Sequence, residues 1–266
     1  MHKEVIIAGK KIIYRVSGAG KKIMLVHGFG ETGEVWNRQV AYLKDRAQLI
    51  VPDLPGSGES EMIDDMSMEG LAEIIKTIAD IEKTGSFILL GHSMGGYISL
   101  AFAEKYPQYL QGFGLVHSTA YPDTEEKKIT RRKGIQFIQE HSAFEFLKNT
   151  SPNLFSAFTK SENQSLITDF LQGLNNFSEK SLVSYYEAMI NRPDRTAILR
   201  NSKIPVLFIM GETDNAVPLW DVLTQCHLPE KSYIHILKKS GHMGMIEEED
   251  LTSKMLEKFI EDAGFL

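Results

Sequence analysis

Short continuous apolar runs alternate with longer stretches whose apolar residues recur every three or four positions. Lys22-Ile23-Met24-Leu25-Val26, Gln48-Leu49-Ile50-Val51, Phe87-Ile88-Leu89-Leu90 and Val206-Leu207-Phe208-Ile209-Met210 are too short for helices. Apart from the leading Lys22 and Gln48, their continuous apolar character predicts strands buried on both faces. Gly112–Val116 and Tyr233–Leu237 read as two more, and Glu4–Ala8 with Lys11–Ser17, flanking Gly9, as a hairpin that starts the sheet. Val35–Leu43 and Met68–Ile81 carry the helical spacing; in the second, Leu71, Ile74, Ile75, Ile78 and Ile81 share one face. A last helix is predicted near Asp250–Ile260. Strands alternating with helices imply a mostly parallel sheet with helices on both faces.

From Thr119 to Asn201 the rhythm changes. No strand is predicted there, and Glu125–Glu140, Ala143–Leu147, Ser161–Asn175 and Glu179–Met189 read as amphipathic helices, punctuated by Pro152 and Pro193. Some eighty residues without a strand exceed one crossover. The division expected is therefore a core of residues 1–118 and 202–266 with a helical cap of residues 119–201 over the carboxyl edge of the sheet.

Composition narrows the class of protein. A chain of 266 residues with 42% hydrophobic and 24% charged residues can bury a substantial core. A net charge of −6 gives no electrostatic reason to expect nucleic acid or an anionic membrane as partner. A single cysteine, Cys226, can form neither an internal disulfide nor a zinc cluster. Without an apolar signal core or a membrane-length run, the expectation is a cytoplasmic protein. No feature of the sequence sets an oligomeric state.

The candidate chemistry lies at a strand-to-helix junction. Gly91-His92-Ser93-Met94-Gly95-Gly96 follows Phe87–Leu90 and opens the helix Met94–Ala103. A serine there is forced into a tight turn, and its glycine neighbours let the helix approach the strand without Cβ collisions. The hydroxyl is then held out at the carboxyl end of the sheet, the place for an acyl-transfer nucleophile. Such a serine needs a base and a third group that orients the base. His242, in Lys239-Ser240-Gly241-His242-Met243-Gly244, follows the last strand, and Asp214, in Met210-Gly211-Glu212-Thr213-Asp214, follows the one before it. The order Ser93, Asp214, His242 is that of a nucleophile presented on a G-x-S-x-G elbow. Glu212 and Asp123 are competing acids. His92 is expected to pack under the elbow, whereas His117, His141, His227 and His235 lack a partner pattern and read as structural or solvated.

The tetrahedral intermediate of acyl transfer needs two N–H donors, and removing one costs about 3–4 kcal/mol in the barrier. The candidates are the backbone N–H of Met94 and that of Phe29, in His27-Gly28-Phe29-Gly30. Asp53 sits in a Pro-Asp-Leu-Pro-Gly turn and reads as a turn former, and Ser57, between Gly56 and Gly58, lacks a following helix and is a decoy.

These motifs, with Val217-Pro218 and Gly241-His242, resemble the α/β-hydrolase fold superfamily over essentially the whole chain, in its branch with a helical cap. The resemblance implies an eight-stranded, mostly parallel sheet with the cap inserted after the sixth strand. It also implies Ser93, Asp214 and His242 as the triad, with neither metal nor coenzyme. Dehalogenases and epoxide hydrolases of this fold carry aspartate at the elbow, so Ser93 favours esters, thioesters or carbon–carbon bonds beside a carbonyl. The expected function is a carboxylesterase acting on small or medium apolar acyl esters. One alternative is hydrolysis or lyase chemistry at a carbon–carbon bond of a ketone acid, its carboxylate held by arginines such as Arg192 or Arg195. Another is a slow-turnover ligand receptor of the same fold. The cap aromatics (among them Phe146, Phe170, Tyr185 and Tyr186) and Met189 suggest an apolar pocket. The basic run Lys127, Lys128, Arg131, Arg132 and Lys133 could meet an acidic substrate or a carrier, but reads rather as the solvated face of the first cap helix.

Overall fold

The apolar runs assemble into one sheet. In the computed structural model, which describes residues 1–264 and of Asn175 and Asn176 the backbone only, the strands are β1 His2–Ile7, β2 Lys10–Ser17, β3 Lys22–Val26, β4 Gln48–Pro52, β5 Phe87–His92, β6 Leu110–Val116, β7 Val206–Gly211 and β8 Ser232–Leu237. Their order is β1-β2-β4-β3-β5-β6-β7-β8. β2 is antiparallel to β1 and β4, and all later pairings are parallel. β5 lies centrally and is buried along its whole length, as its unbroken apolar run requires.

Helices α1 Asn37–Leu43, α2 Met68–Ile81, α3 Met94–Lys105 and α12 Glu249–Asp262 wrap the sheet. Side chains alternate across a strand, which fixes which helix lies on which face. Phe87 of β5 meets Phe102 of α3 at 5.6 Å between ring centroids. Its neighbour Ile88 is in register with Gly112 of β6, where a Cβ would lie 3.1 Å from Phe259 of α12. The helices α3 and α12 therefore cover opposite faces. Met94–Ala103 of α3 is buried on all sides, so its sequence is apolar all round rather than striped. α2 keeps its stripe: Leu71, Ile74, Ile75 and Ile78 are buried, and the Ser67 side chain caps its start by accepting from Gly70 N.

Between β6 and β7 the chain forms helices α4 Glu125–Glu140, α5 Ala143–Thr150, α6 Ala157–Glu162, α7 Gln164–Gln172, α8 Glu179–Asn191 and α9 Thr196–Asn201. This insert touches the loops that follow three strands. Tyr186 stacks on Phe29, past β3, at 4.4 Å; Tyr185 Oη donates to Pro55 O, past β4, at 2.6 Å; and Leu154 O accepts from His242 N, past β8, at 2.7 Å. The expected helix Ser161–Asn175 is two helices and a 3₁₀ turn instead. Asn163, at φ −144 and ψ 48, leaves the helical region and splits it. Short helices α10 Leu219–Leu223 and α11 Gly244–Glu247, together with α9, complete the chain and were not predicted. At four to six residues each they are too short to show periodicity.

Candidate active site

Ser93 stands between β5 and α3 at φ 50 and ψ −114, a backbone region that an L-residue occupies only under constraint. Its neighbours supply that constraint. A Cβ on Gly91 would lie 2.1 Å from Gly95 O, one on Gly95 2.5 Å from Val26 O, and one on Gly96 2.3 Å from Ser118 Oγ. Helix and strand can approach this closely only where those three side chains are absent. Ser93 N donates to Val116 O at 2.9 Å and Ser118 Oγ donates to Ser93 O at 2.7 Å, which pins the turn to β6.

Asp214 and His242 come together as expected, with His242 Nδ1 donating to Asp214 Oδ2 at 2.8 Å. The carboxylate is saturated: Oδ1 accepts from Ala216 N and Val217 N at 2.8 Å each, and Oδ2 accepts a second ring N–H, from His117 Nδ1, at 3.2 Å. Burial alone would raise Asp214, but the His242 ring and the two ring hydrogen bonds hold it far below the usual carboxylate range. His117, Asp214 and His242 are a cluster in which a cation could be ligated, their donor atoms lying within 4.8 Å of one another. Four donors already on the carboxylate suit it to orienting histidines rather than holding a metal.

The His117 contact corrects the sequence reading, which left that residue without a partner. Burial pushes the His117 ring below its ordinary value despite Asp214, so it stays neutral. The signal was topological: His117 directly follows β6, next to β7, whose loop carries Asp214. Of the other acids, Glu212 is exposed, and Asp123 is engaged by Arg131 and Arg192.

Ser93 and His242 line one cavity of about 280 Å³, with Phe29, Tyr97, Tyr186 and Met189 among its walls. Neither Ser93 Oγ nor His242 Nε2 is hydrogen-bonded among the described residues. A Cβ on Gly28 would lie 3.1 Å from Ser93 Cβ, so the loop after β3 runs directly past the serine. His27 shapes that loop. Leu54 N donates to its Nε2 at 2.9 Å, which leaves the ring proton on Nδ1 for Gly28 O at 2.8 Å. Gly28 N donates to Glu31 Oε2 at 2.7 Å, whereas Phe29 N and Met94 N donate to no described residue. These are the two N–H groups expected to face an oxyanion.

Glu31 escaped the sequence reading. It is 4% exposed and meets His92 Nδ1 at 2.9 Å, while His92 Nε2 contacts His242 O at 3.0 Å. Burial opposes both charges, yet each partner overrides it: Glu31 is held below, and His92 above, its ordinary value. This ion pair adjoins Ser93 in the chain and ties the loop after β3 to the loop that carries His242.

Other expectations resolve simply. Asp53 Oδ1 accepts from Gly33 N at 2.7 Å, a turn-stabilising contact, and Ser57 Oγ is tied to Tyr185 Oη at 2.9 Å. His141 and His227 are exposed, and His235 is half-buried. Of the insert's aromatics, Tyr186 lines the cavity, whereas Phe155, Phe177 and Tyr185 are buried in packing and Phe144 and Phe158 are exposed. Arg192 and Arg195 do not line it, and Arg195 is paired with Glu69 and Glu104.

A family model described as alpha/beta hydrolase fold matches residues 21–249. An uncharacterized protein of Mycobacterium tuberculosis is 32% identical over 111 residues, 41% of this chain and only 33% of that relative. Lipase 1 of Psychrobacter immobilis is 26% identical over 268 residues, covering 95% of this chain and 81% of the lipase. Among solved structures, a thermophilic esterase from Thermogutta terrifontis, with malate bound, superimposes with a TM-score of 0.92 at 25% identity over 99% of both chains.

Proposed function

This chain belongs to the α/β-hydrolase fold family, and on that premise we propose that it is a cofactor-free serine esterase acting on small or medium acyl esters. Ser93 attacks the ester carbonyl, and His242 Nε2 takes its proton and returns it to the leaving alcohol. Asp214 keeps the other ring proton on Nδ1 and stabilises the imidazolium that forms. Phe29 N and Met94 N receive the oxyanion, and water then cleaves the acyl-enzyme by the same route. Residues 119–201 act as a cap over a core of residues 1–118 and 202–266, with its helices forming part of the substrate cavity. No helix among the described residues is long and apolar enough to cross a membrane, and Cys226 is a buried free thiol, which suits a cytoplasmic protein.

The observation that carries the reading is convergence. A serine in a constrained turn shares its cavity with a histidine whose Nδ1 is held by a saturated carboxylate, beside two uncommitted backbone N–H groups. The test is Ser93→Ala, with hydrolysis of p-nitrophenyl esters and labelling by a fluorophosphonate. Both should vanish while the unfolding transition stays unchanged. Turnover equal to that of the parent protein would refute the assignment, and labelling without appreciable turnover would favour a ligand receptor.

A further inference from the structure

The basic run of α4 is not uniformly solvated. Lys128 pairs with Glu125, and Arg132 and Lys133 are exposed, but Lys127 and Arg131 line the cavity of Ser93 and His242. A separation of four residues puts these two on one face, one turn apart. Lys127 Nζ donates to Ala216 O at 2.7 Å, beside Asp214, and meets no carboxylate among the described residues. Arg131 directs Nε and Nη2 at Asp123, and its Nη1 has no partner among the described residues. Its guanidinium lies 5.4 Å from the ring centroid of Tyr186, another cavity residue.

Asp123 cannot neutralise this wall, because it is shared. Arg192, with its side chain 3% exposed, meets the same carboxylate at 2.9 Å and lies 3.9 Å from the ring centroid of Tyr97, which also lines the cavity. Arg131 and Arg192 therefore share one carboxylate, and Lys127 meets none among the described residues. The two remaining anions nearby are already answered, Glu31 by His92 and Gly28 N, and Asp214 by its four donors. Positive charge in a partly buried wall is costly without a counter-charge, and Arg and Lys donors of this kind match a carboxylate.

We propose that the substrate bears a carboxylate remote from the scissile ester, seated on Lys127 and Arg131 while the ester carbonyl lies at Ser93. This rests on the esterase reading above and makes the accepted acyl ester an anionic one.

The test uses the full chain and measures kcat/KM by proton release for matched pairs. One arm compares monomethyl with dimethyl esters of straight-chain dicarboxylic acids, which puts the charge on the acyl side. The other compares acetate esters of terminal hydroxy acids with the methyl esters of the same compounds, which puts it on the alcohol side. In one arm the charged member should be preferred about tenfold or more, a preference that weakens with salt. Arg131→Met and Lys127→Met should each lower that ratio roughly tenfold to a hundredfold. Lys127→Met removes no ion pair, so it decides the matter should Arg131→Met misfold, and fluorophosphonate labelling of Ser93 verifies the site in both. Turnover without charge preference in either arm, or a preference unchanged in the variants, overturns this proposal alone. No turnover of any ester and no labelling overturns the esterase reading and this proposal with it.

Discussion

Glu247 offers the sharpest perturbation away from the reacting atoms. Its carboxylate is met by donors on both sides. Oε1 accepts from Gly241 N at 2.8 Å and Met243 N at 3.2 Å, the residues flanking His242. Oε2 accepts from Ser156 N at 2.8 Å and Thr159 Oγ1 at 2.7 Å, at the start of α6. One side chain thus fixes the histidine loop and ties it to the helical insert. Glu247→Gln keeps the shape and breaks the pattern, because an amide has one accepting oxygen and one donating nitrogen. Turned one way, the NH₂ faces Gly241 N and Met243 N; turned the other, it faces Ser156 N, while the Thr159 hydroxyl can reverse to accept. Each lost partner costs about 1–3 kcal/mol when buried. The site is half-buried, so water recovers part of this, and the expected loss is about 2–3 kcal/mol of unfolding free energy. A loosened His242 should lower kcat roughly tenfold to a hundredfold, since small displacements of a catalytic group are costly, with KM little changed because Glu247 does not line the cavity. Urea unfolding and ester kinetics on one preparation measure both quantities. A variant within about 0.5 kcal/mol of the parent that retains full kcat would refute the reasoning.

Asp214→Asn leaves a single oxygen for donors that now occupy two, and should cut kcat by roughly 10³–10⁴-fold; a loss below tenfold would remove Asp214 from the triad. Ser57→Ala should leave ester turnover within about twofold, whereas Tyr185→Phe, which deletes the hydroxyl bonded to Pro55 O and Ser57, should cost about 1–2 kcal/mol in urea unfolding. Glu31 titrates below its ordinary 4.5 and His92 above its ordinary 6.5 in the folded chain, so their stabilisation is complete only between those values. It fades as pH falls through the folded-state titration of Glu31 and as pH rises through that of His92; Glu31→Gln should remove the acid limb and weaken the alkaline one, and an unaltered stability–pH curve would refute the pair's role.

What could be read from the sequence was set locally. The strands announce themselves by apolar runs, and the elbow by glycines whose missing Cβ atoms are required within a few residues of Ser93. Asp214 and His242 were legible for a related reason: each lies just past a strand of a sheet whose parallel order brings such loops to one rim. Groups that act across the fold left no such mark. Glu31 meets a histidine 61 residues away, and His117 meets an aspartate 97 residues away. Only strand order could have paired them, since β3 lies beside β5 and β6 beside β7. The inward face of α4 was hidden more deeply. One residue of that helix, Ile138, is buried, so no apolar stripe shows which way it turns. The helix packs through Gly134, Phe137 and Ile138, and the ion pair of Arg131 with Asp123, a carboxylate also held by Arg192, keeps Arg131 on the cavity side, with Lys127 one turn earlier on the same face. A cation held by a buried carboxylate faces wherever that carboxylate lies, and in this chain Arg131 and its neighbour Lys127 face the cavity that Ser93 and His242 line.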